Sequence, residues 1–516
     1  MRRIVMGVEL SILDTTFRDG MQSSLIEAAG PKDALKVLRL LDELGCFEYL
    51  EAGFAVSNNG DGERIKAALK LGLKAKIAAF GWATPDTAKQ MIAVGVPVAV
   101  LVAKARKRDV EIALRRDPEE YLSVVRQSVE RLTENGIEVI LDVEHAFQAV
   151  FEDDQEYVLR LLRECHEAGA RWLVLCDTNG KASVGVAEAV IKIVSKEIPL
   201  GVIGVHFHND RGRAVVLAEI AYEQGIRHIQ GVFGGFGERA GNTDLSVLIP
   251  NLCLDSDCRF FSRTAFEKFT ATYRSVSEIL NIPADPTHPW VGEKVFYSKA
   301  GMHASGENLD PGSYLHFDPE FTGNHISFGL SGISGKANLS IKAREIGIEI
   351  PENKLPEIAA RHKELADRGI SFERAEASFE LWLLRELGSL KMPFSFINWR
   401  IIDECKPGGQ IKSEASLAMI VNGRECLSNA RGEGPVNALE KVLRQTLEKE
   451  FPAIKQVRMS EFSFKTVDMR KGSAALVRIL CVFTDGCRTW TTVGVNEDFL
   501  WAAWQAILDG YLYRIA

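Results

Sequence analysis

The first half of the chain repeats one unit eight times, and this repetition limits the possible folds more than any other pattern. Each unit is a short, β-rich apolar run that ends at a polar residue or glycine and is followed by an amphipathic helical stretch. The eight runs are Leu10–Leu13, Phe47–Glu51, Ala75–Phe80, Val96–Val102, Glu138–Val143, Trp172–Cys176, Val202–His208 and His228–Phe233. Strands that alternate with helices pair in parallel, and eight units in about 240 residues match the size of a closed barrel. We therefore predict an α/β fold that begins with a (β/α)₈ barrel.

An open, doubly wound sheet is the alternative arrangement of the same repeats. Such sheets commonly bind dinucleotides through a Gly-rich GxGxxG turn after the first strand. No such turn follows Leu10–Leu13, where the chain runs into Asp14 instead. The closed barrel is therefore favoured over the open sheet.

The composition changes after about Asn251, where the repeats end. Three prolines within Pro283–Pro289 indicate a linker, and helical patterns return over Leu339–Gly388. From about Met392, a unit of strands followed by a helix occurs twice, which indicates a compact α+β domain with an internal duplication. We predict three domains: a barrel over residues 1–282, a mostly helical linker and lid region over 283–391, and a C-terminal α+β domain over 392–516.

The charge and cysteine content limit the partners and the compartment. The chain has 62 basic and 70 acidic residues, so its formal net charge is −8. This balance argues against nucleic acid or an anionic membrane as a main partner. No apolar run approaches the roughly 20 residues of a membrane helix, and we expect no signal peptide. Nine scattered cysteines without a CxxC pair favour the cytoplasm.

Polar side chains gather where the predicted barrel strands end, which is where barrel enzymes carry their active sites. Packing alone does not require polar residues at five strand ends on one rim, so we place a candidate active site there. The five segments are Asp14–Gln22, Asp142–His145, Asp177–Gly180, His206–Asp210 and Gly237–Asn242.

His206 and His208 are two residues apart on one predicted strand, so both imidazoles point to the same face. Two imidazoles and a carboxylate on one face suit a divalent metal ion, although paired histidines also occur as satisfied core residues. Asp19 and Asn242 are expected on the same rim. We predict a metal site of these four residues, which would accept Mg²⁺, Mn²⁺, Co²⁺ or Zn²⁺.

Two further charged groups on this rim are candidates for chemistry. Arg18 could stabilise a carbonyl oxygen that gains negative charge, and a rim salt bridge is its alternative role. Glu144 is a candidate acid or base, and a rim ion pair is its alternative role. Glu238 and Arg239 are interpreted as a structural ion pair that supports the loop carrying Asn242.

Two other patterns receive a structural interpretation. Cys176 ends a predicted strand, but the sequence shows no group that would activate its thiol, so we predict a buried cysteine. The basic run Lys104–Arg108 could meet a phosphate group, and a solvated loop is the favoured interpretation.

These segments resemble the signature motifs of the isopropylmalate, homocitrate and citramalate synthase family, and most closely its long citramalate synthase subgroup. The resemblance covers essentially the whole chain. It is carried by Asp14-Thr-Thr-Phe-Arg-Asp-Gly-Met-Gln22, Asp142-Val-Glu-His145, Leu175-Cys-Asp-Thr-Asn-Gly180, His206-Phe-His-Asn-Asp210, Gly237-Glu-Arg-Ala-Gly-Asn242, Gly301-Met-His303, Tyr314-Leu-His316, Gly323-Asn324, Leu330-Ser-Gly-Ile-Ser-Gly335, Gly432-Glu-Gly-Pro435 and Trp490-Thr-Thr-Val-Gly494. It implies a metal-dependent acyltransferase that condenses acetyl-CoA with a 2-oxo acid, here pyruvate, to give citramalate and CoA for isoleucine biosynthesis.

The resemblance also implies roles for individual residues of the barrel and the segment after it. The four predicted metal ligands keep that role, and Arg18 would bind and polarise the keto oxygen. Gln22 and Thr178 would help to seat the 2-oxo acid. Glu144 and His303 would serve the proton transfers, and the sequence does not show which of them takes the first proton.

Beyond the barrel, the resemblance implies regulation and assembly. Tyr314 would support a lid. The C-terminal domain would bind a branched-chain amino-acid effector, often isoleucine. The chain would form a homodimer in which the middle segment reaches over the neighbouring barrel.

Some positions depart from the family pattern and bear on the choice of substrate. Phe17 stands where Leu is usual, Met21 replaces a commoner Glu, Ala or Asn, and Phe54-Ala55 replaces a Trp-Pro-type pair. None of these changes removes a predicted metal ligand, but pocket shape decides which 2-oxo acid is accepted. The same chemistry on another 2-oxo acid, as in 2-isopropylmalate or homocitrate synthases, is therefore an open alternative.

Two alternatives lie outside the synthases. Hydroxymethylglutaryl-CoA lyases resemble only the barrel, and they use a cysteine in the loop that here reads Gly235-Phe-Gly-Glu-Arg-Ala and contains none. A non-catalytic protein that binds an effector is the second alternative. The intact Arg18 and metal ligands favour an enzyme over that alternative.

Overall fold

The first half of the chain folds into a closed barrel of eight parallel strands in chain order. The computed structural model describes residues 10–26, 30–55, 60–255, 263–298, 315, 317–328, 335–405 and 411–516. The barrel strands are β1 (Ser11–Asp14), β2 (Tyr49–Phe54), β3 (Lys76–Trp82), β4 (Val98–Lys104), β5 (Glu138–Glu144), β6 (Trp172–Asp177), β7 (Ile203–Phe207) and β8 (His228–Gly231). The barrel closes where β1 pairs with β8, with Ser11 opposite His228 and Asp14 opposite Gly231. The predicted (β/α)₈ barrel is confirmed, and the open-sheet alternative is wrong.

Helices connect the strands and continue beyond the last one. They are α1 (Pro31–Leu44), α2 (Asp61–Leu69), α3 (Pro85–Val94), α4 (Lys107–Ala113), α5 (Pro118–Glu134), α6 (Ala146–Gln148), α7 (Gln155–Glu167), α8 (Val184–Val194), α9 (Ala214–Glu223), α10 (Leu245–Asp255), α11 (Arg263–Phe266) and α12 (Phe269–Ile279). Local signals set their ends. Asp117 caps α5 by accepting hydrogen bonds from the backbone N–H groups of Glu119 and Glu120, and Pro118 occupies the first helical position. Gly45 ends α1 in the left-handed conformation, with φ of 65°.

The barrel interior changes from apolar to polar along the strands. Leu13, Val100, Ile140 and Val174 belong to one buried apolar cluster. Inward-facing positions nearer the carboxyl ends of the strands carry Glu51, Asp142, His206 and Gln230, and each of these is less than 5% exposed. Buried polar groups are stable only when they are paired. We therefore expect these buried polar residues to contact one another, and they place the candidate site at the carboxyl ends of the strands.

The described residues within 297–316 and 326–516 form a second compact unit, while residues 317–325 belong with the barrel unit. The second unit contains the short strands β9 (Tyr297–Ser298) and β10 (Ser327–Phe328), the helices α13 (Lys336–Glu345), α14 (Leu355–Asp367) and α15 (Glu376–Leu387), the strands β11 (Phe394–Cys405), β12 (Ile411–Val421) and β13 (Arg424–Gly432), the helix α16 (Pro435–Leu447), the strands β14 (Arg458–Thr466), β15 (Val477–Thr484) and β16 (Thr489–Asn496), and the helix α17 (Phe499–Ile515). Three antiparallel strands followed by a helix occur twice, which confirms the predicted α+β fold and its duplication.

Strand β13 is absent from the sequence prediction. Its residues alternate between exposed and partly exposed, and Leu427 is 75% exposed. Only the small side chains of Cys426 and Ala430 on this edge strand are partly buried against the core, and so weak an apolar alternation is hard to recognise in sequence. Among the described residues, no helix combines the length and apolar character required to cross a membrane.

Candidate active site

A cavity of about 600 Å³ opens where the barrel strands end, and most of the predicted site residues line it. The predicted residues on its wall are Arg18, Asp19, Gln22, Glu144, Thr178, His206 and His208. His303 and Tyr314 lie outside the described residues. The sequence-predicted residues of several strand ends therefore share one cavity, as expected for a barrel enzyme.

Asp19, His206 and His208 form a cluster that could hold a metal ion. One ligand atom from each residue lies within 4.8 Å of the others, and all three residues are buried. Nε2 of His206 lies 3.1 Å from Oδ2 of Asp19, and Nε2 of His208 lies 3.7 Å from the same oxygen. This spacing places two nitrogen ligands and one carboxylate around a common centre.

The polar atoms around this cluster fit a bound cation. Oδ1 of Asp19, Nδ1 of His208 and Oδ1 of Asn242 are buried and have no hydrogen-bond partner among the described residues. Nδ2 of Asn242 donates to the carbonyl of Phe236 at 3.3 Å, so its oxygen remains available. A Cβ at Gly237 would overlap this Nδ2, so only glycine lets Asn242 take its position. Two imidazoles with carboxylate and amide oxygens suit Mg²⁺, Mn²⁺ or Zn²⁺.

The protonation states of two of these residues also favour cation binding. Burial and the neighbouring His206 lower the pKa of His208 to about 4, so its imidazole is neutral at pH 7. Burial alone would raise the pKa of Asp19, but the charge of Arg18 and the imidazole of His206 hold it well below the usual range. A neutral imidazole and an ionised carboxylate are the forms that bind metals.

Three carboxylates surround the guanidinium of Arg18. Its Nη1 lies 3.1 Å from Oδ2 of Asp19, its Nε donates to Oε2 of Glu51 at 3.0 Å, and its Nη2 lies 3.8 Å from Oδ2 of Asp142. The same guanidinium stacks over the ring of Phe80, with Cζ 4.3 Å from the ring centre. Arg18 therefore has one fixed position beside the predicted metal ligands.

Burial and charge pairing shift the pKa values of this group. Burial would lower the pKa of Arg18, but Glu51, Asp19 and Asp142 raise it above its usual value. Burial raises the pKa of Glu51 to about 7, although the charge of Arg18 acts in the opposite direction. Burial likewise raises the pKa of Asp142. Asp142 lines the cavity, and a carboxyl group with a perturbed pKa in a cavity is typical of functional sites.

The sequence alone assigns no role to three buried residues of this site. Glu51 and Asp142 hold Arg18, and Gln230 donates to Oδ1 of Asp142 at 2.7 Å while its Oε1 lies 3.1 Å from Nδ1 of His206. The signal for all three is a polar residue inside an otherwise apolar strand run. Their partners are distant in sequence, so only the closed barrel shows what each residue contacts.

Glu144 forms an ion pair with Lys104, the last residue of β4. This contact corresponds to the alternative role considered for Glu144, and it shows that the solvated-loop interpretation is wrong for Lys104, whose side chain is 16% exposed. Thr178 accepts a hydrogen bond from the backbone N–H of His145 at 2.8 Å. Glu144 still lines the cavity, within reach of a substrate.

Arg239 supports the loop that carries Asn242, although mainly through a different partner from the one predicted. It lies 3.0 Å from Glu238, as expected, but its Nε and Nη2 also donate to the carboxylate of Asp210 at 2.7 and 3.1 Å. Cys176 is buried, as the sequence predicts, and burial raises the pKa of its thiol well above the usual value. Such a thiol is a poor nucleophile.

Three family models match successive parts of the chain. Residues 9–276 match the HMGL-like family, residues 290–370 match the post-HMGL domain-like region of homocitrate synthase, and residues 373–514 match the LeuA allosteric (dimerisation) domain.

Curated relatives match the chain from end to end. An (R)-citramalate synthase of Geobacter sulfurreducens is 36% identical over 98% of this chain and 97% of its own length. An (R)-citramalate synthase of Aquifex aeolicus is 34% identical over 99% of this chain and 98% of its own length. One from Sulfolobus acidocaldarius is 35% identical over 98% of this chain and 97% of its own length.

Proposed function

The chain belongs to the (R)-citramalate synthase family, and on that premise we propose that it condenses acetyl-CoA with pyruvate to give citramalate and free CoA. The observation that carries this proposal is the placement of Arg18 beside Asp19, His206 and His208 in one cavity. A fixed cation next to a metal site suits the negative charge that develops on a keto oxygen during carbon–carbon bond formation.

A divalent cation would be held by Asp19, His206, His208 and Asn242. Mg²⁺, Mn²⁺ and Zn²⁺ all fit this set of donor atoms. Such a cation supplies Lewis-acid polarisation of the 2-oxo acid and orients it in the cavity. The chain itself supplies the remaining charge stabilisation. Arg18 donates N–H groups toward the keto oxygen, and Glu51 holds the guanidinium in position.

The cavity wall supports a small 2-oxo acid as substrate. Phe54 packs edge-on against Phe80 and Trp82, with ring centres 5.3 and 6.3 Å apart. This aromatic wall limits the room for a longer 2-oxo acid side chain. Gln22 and Thr178 line the same cavity and would seat the substrate carboxylate through hydrogen bonds.

The reaction needs a base for acetyl-CoA. A proton leaves the acetyl methyl group, the resulting carbanion attacks the keto carbon of pyruvate, and the keto oxygen becomes an alkoxide and then a hydroxyl. Glu144 lines the cavity as a carboxylate held by Lys104, and together with His303 it is proposed to serve these proton transfers. Water then cleaves the thioester, which yields the carboxylate of citramalate and the thiol of CoA.

Release of the CoA thiol from acetyl-CoA tests this proposal directly. The metal-free chain is assayed with and without Mg²⁺, Mn²⁺ or Zn²⁺, using pyruvate, 2-oxobutanoate, 2-oxoisovalerate and 2-oxoglutarate in turn. We expect metal-dependent release that is fastest with pyruvate, and citramalate as the product. Release with only 2-oxoisovalerate or 2-oxoglutarate would overturn the choice of pyruvate as substrate. If no acid supports release, the proposed synthase activity itself is wrong.

The C-terminal unit supports a proposal about regulation. It matches an allosteric (dimerisation) domain, and it contains a cavity of about 390 Å³ with three tryptophans on its wall. We propose that an apolar amino acid is the effector and that the chain is a homodimer. Inhibition of CoA release by isoleucine, leucine or valine, together with the mass measured by light scattering, tests both points.

Cys165, Cys176 and Cys481 are free thiols, which supports a cytoplasmic location as part of this proposal.

A further inference from the structure

Gln230 lies fully buried in β8, between a predicted metal ligand and a carboxylate that faces Arg18. Its side-chain amide bridges His206 and Asp142, at 3.1 Å from Nδ1 of the imidazole and 2.7 Å from Oδ1 of the carboxylate. A glutamine amide has one accepting and one donating end, so it can connect these two groups in only one orientation.

The carboxylate of Asp142 determines that orientation. The charge of Arg18, 3.8 Å from the other oxygen of Asp142, opposes the effect of burial and favours the ionised carboxylate; such a group only accepts hydrogen bonds, so the NH₂ end of Gln230 must face Asp142. The oxygen of the amide then faces Nδ1 of His206 and accepts its proton. A neutral imidazole with its proton on Nδ1 has its lone pair on Nε2. That nitrogen is the one that lies 3.1 Å from Asp19 in the metal cluster.

The Gln230 bridge also connects to the guanidinium of Arg18, the proposed substrate-binding residue. Asp142 extends its other oxygen to within 3.8 Å of Nη2 of Arg18, and Nη1 of Arg18 lies 3.1 Å from Asp19. The polar contacts thus form a closed ring through His206, Gln230, Asp142, Arg18 and Asp19. His208 has no comparable support, since its Nδ1 has no hydrogen-bond partner among the described residues.

We propose that Gln230 is a positioning residue that keeps His206 in the Nδ1-protonated tautomer for cation binding and ties this ligand to Arg18 through Asp142. This inference rests on the metal site of the proposed function. Partners that orient a metal-ligating histidine are worth 10- to 100-fold in metal affinity. A residue that only fills the barrel interior would affect stability and leave metal affinity unchanged.

The test measures Mn²⁺ binding to the full chain by calorimetry, together with urea unfolding of the metal-free chain. We expect Gln230→Met, which keeps the shape and removes both hydrogen bonds, to weaken Mn²⁺ binding by 10- to 100-fold. We expect Gln230→Glu to bind Mn²⁺ more tightly than Gln230→Met, because it keeps an acceptor for His206, and less tightly than the unmodified chain, because its second oxygen faces the Asp142 carboxylate without a donor unless the pair takes up a proton.

A matched control is available on α6. Gln148 is also buried, and its Nε2 donates to Oδ1 of Asp177 at 2.7 Å, which is not one of the predicted ligands. Gln148→Met therefore removes an equivalent hydrogen bond to a buried aspartate. We expect it to lower the free energy of unfolding in the same way as Gln230→Met, and to leave Mn²⁺ affinity unchanged.

The outcomes separate the inference from the proposed function. Absence of Mn²⁺ and Zn²⁺ binding by the unmodified chain would overturn the metal site itself. Binding by the unmodified chain with equal affinity in a folded Gln230→Met variant would overturn the role of Gln230. If that variant does not fold, Asp142→Asn is the second probe, because an asparagine can donate to Gln230 and release the amide from its orientation. Unchanged Mn²⁺ affinity in Asp142→Asn would then overturn the inference.

Discussion

Arg18 donates from Nε to Oε2 of Glu51 at 3.0 Å, and the carboxylate of Glu51 has no exposure to solvent. Because this contact fixes the position of the guanidinium, we expect Glu51→Gln to lower kcat/KM for pyruvate by about 10- to 100-fold. This loss corresponds to about 1.4 to 2.7 kcal/mol of transition-state stabilisation. Steady-state CoA release at several pyruvate concentrations measures the effect. Glu51→Asp keeps the charge but shortens the reach, and should retain more activity than Glu51→Gln. Equal activity of Glu51→Gln and the unmodified chain would show that Arg18 needs no such support.

Asp19 contacts Arg18, His206 and His208 through the same oxygen, Oδ2. We expect Asp19→Ala to lose measurable Mn²⁺ binding and to reduce turnover by at least about 10³-fold. The substitution removes a metal ligand, and it also removes one of the carboxylates that pair with the guanidinium of Arg18. Calorimetry and CoA release measure the two effects. Asp109→Asn, which breaks a partly exposed ion pair with Arg106 and involves no predicted ligand, is the control for binding. Turnover near the unmodified level in Asp19→Ala would remove Asp19 from the site.

Phe54 forms part of the aromatic wall with Phe80 and Trp82, and it is not one of the predicted ligands. We expect Phe54→Ala to raise kcat/KM for 2-oxobutanoate relative to pyruvate by about tenfold, since space for one methylene group is worth about 1 to 3 kcal/mol. Competition between the two acids, followed by product analysis, measures the ratio. An unchanged ratio would mean that other residues limit the length of the substrate.

His288 donates from Nε2 to Oδ2 of Asp244 at 2.7 Å, and this hydrogen bond connects the segment after the barrel to the loop that follows β8. Burial lowers the pKa of His288, but the hydrogen bond and the charge of Asp244 outweigh burial and raise it above its usual value. The folded state then binds the proton more tightly than the unfolded state does.

The contribution of His288 to the free energy of unfolding should therefore be fully present below about pH 6.5, the unfolded value for histidine, and should be lost as the pH rises through the raised pKa of His288. One proton can contribute a slope of at most about 1.4 kcal/mol per pH unit. Urea unfolding between pH 5.5 and 8.5 measures this slope. His288→Gln should reduce it, and an identical slope in the variant would show that other groups produce the pH dependence.

The order of strands is predictable from sequence because it depends on local patterns. Apolar runs of strand length end at polar residues, and the HxH spacing of His206 and His208 is sufficient to place two imidazoles on one face. Strand β13 escapes prediction because only the small side chains of Cys426 and Ala430 are partly buried against the core. Local sequence carries too little information there for a strand to be recognised.

The contacts of Glu51, Asp142 and Gln230 are not predictable in the same way. Each residue is a polar group inside an apolar run, which indicates a buried partner without identifying it. The partners lie on other strands or in the turn after β1, and their pairing depends on the register of the closed barrel. Sequence patterns thus locate the rim, and the barrel geometry is needed to show which residues meet there.

The metal cluster draws its residues from the first and the last strands of the barrel in chain order. Asp19 follows the first strand, whereas His206, His208 and Asn242 belong to or follow the seventh and eighth, and the backbone N–H of Thr15 donates to the carbonyl of Gly231 across the closing strand pair. During synthesis, a chain that ends before β8 already contains Asp19, His206 and His208, but it lacks Asn242 and the pairing of β1 with β8 that closes the barrel. Cation uptake can therefore begin only once the ring of strands has joined. A bound cation would stabilise the pairing of β1 with β8, because its ligands lie on both sides of that strand pair. Removal of the metal should therefore destabilise this part of the barrel first.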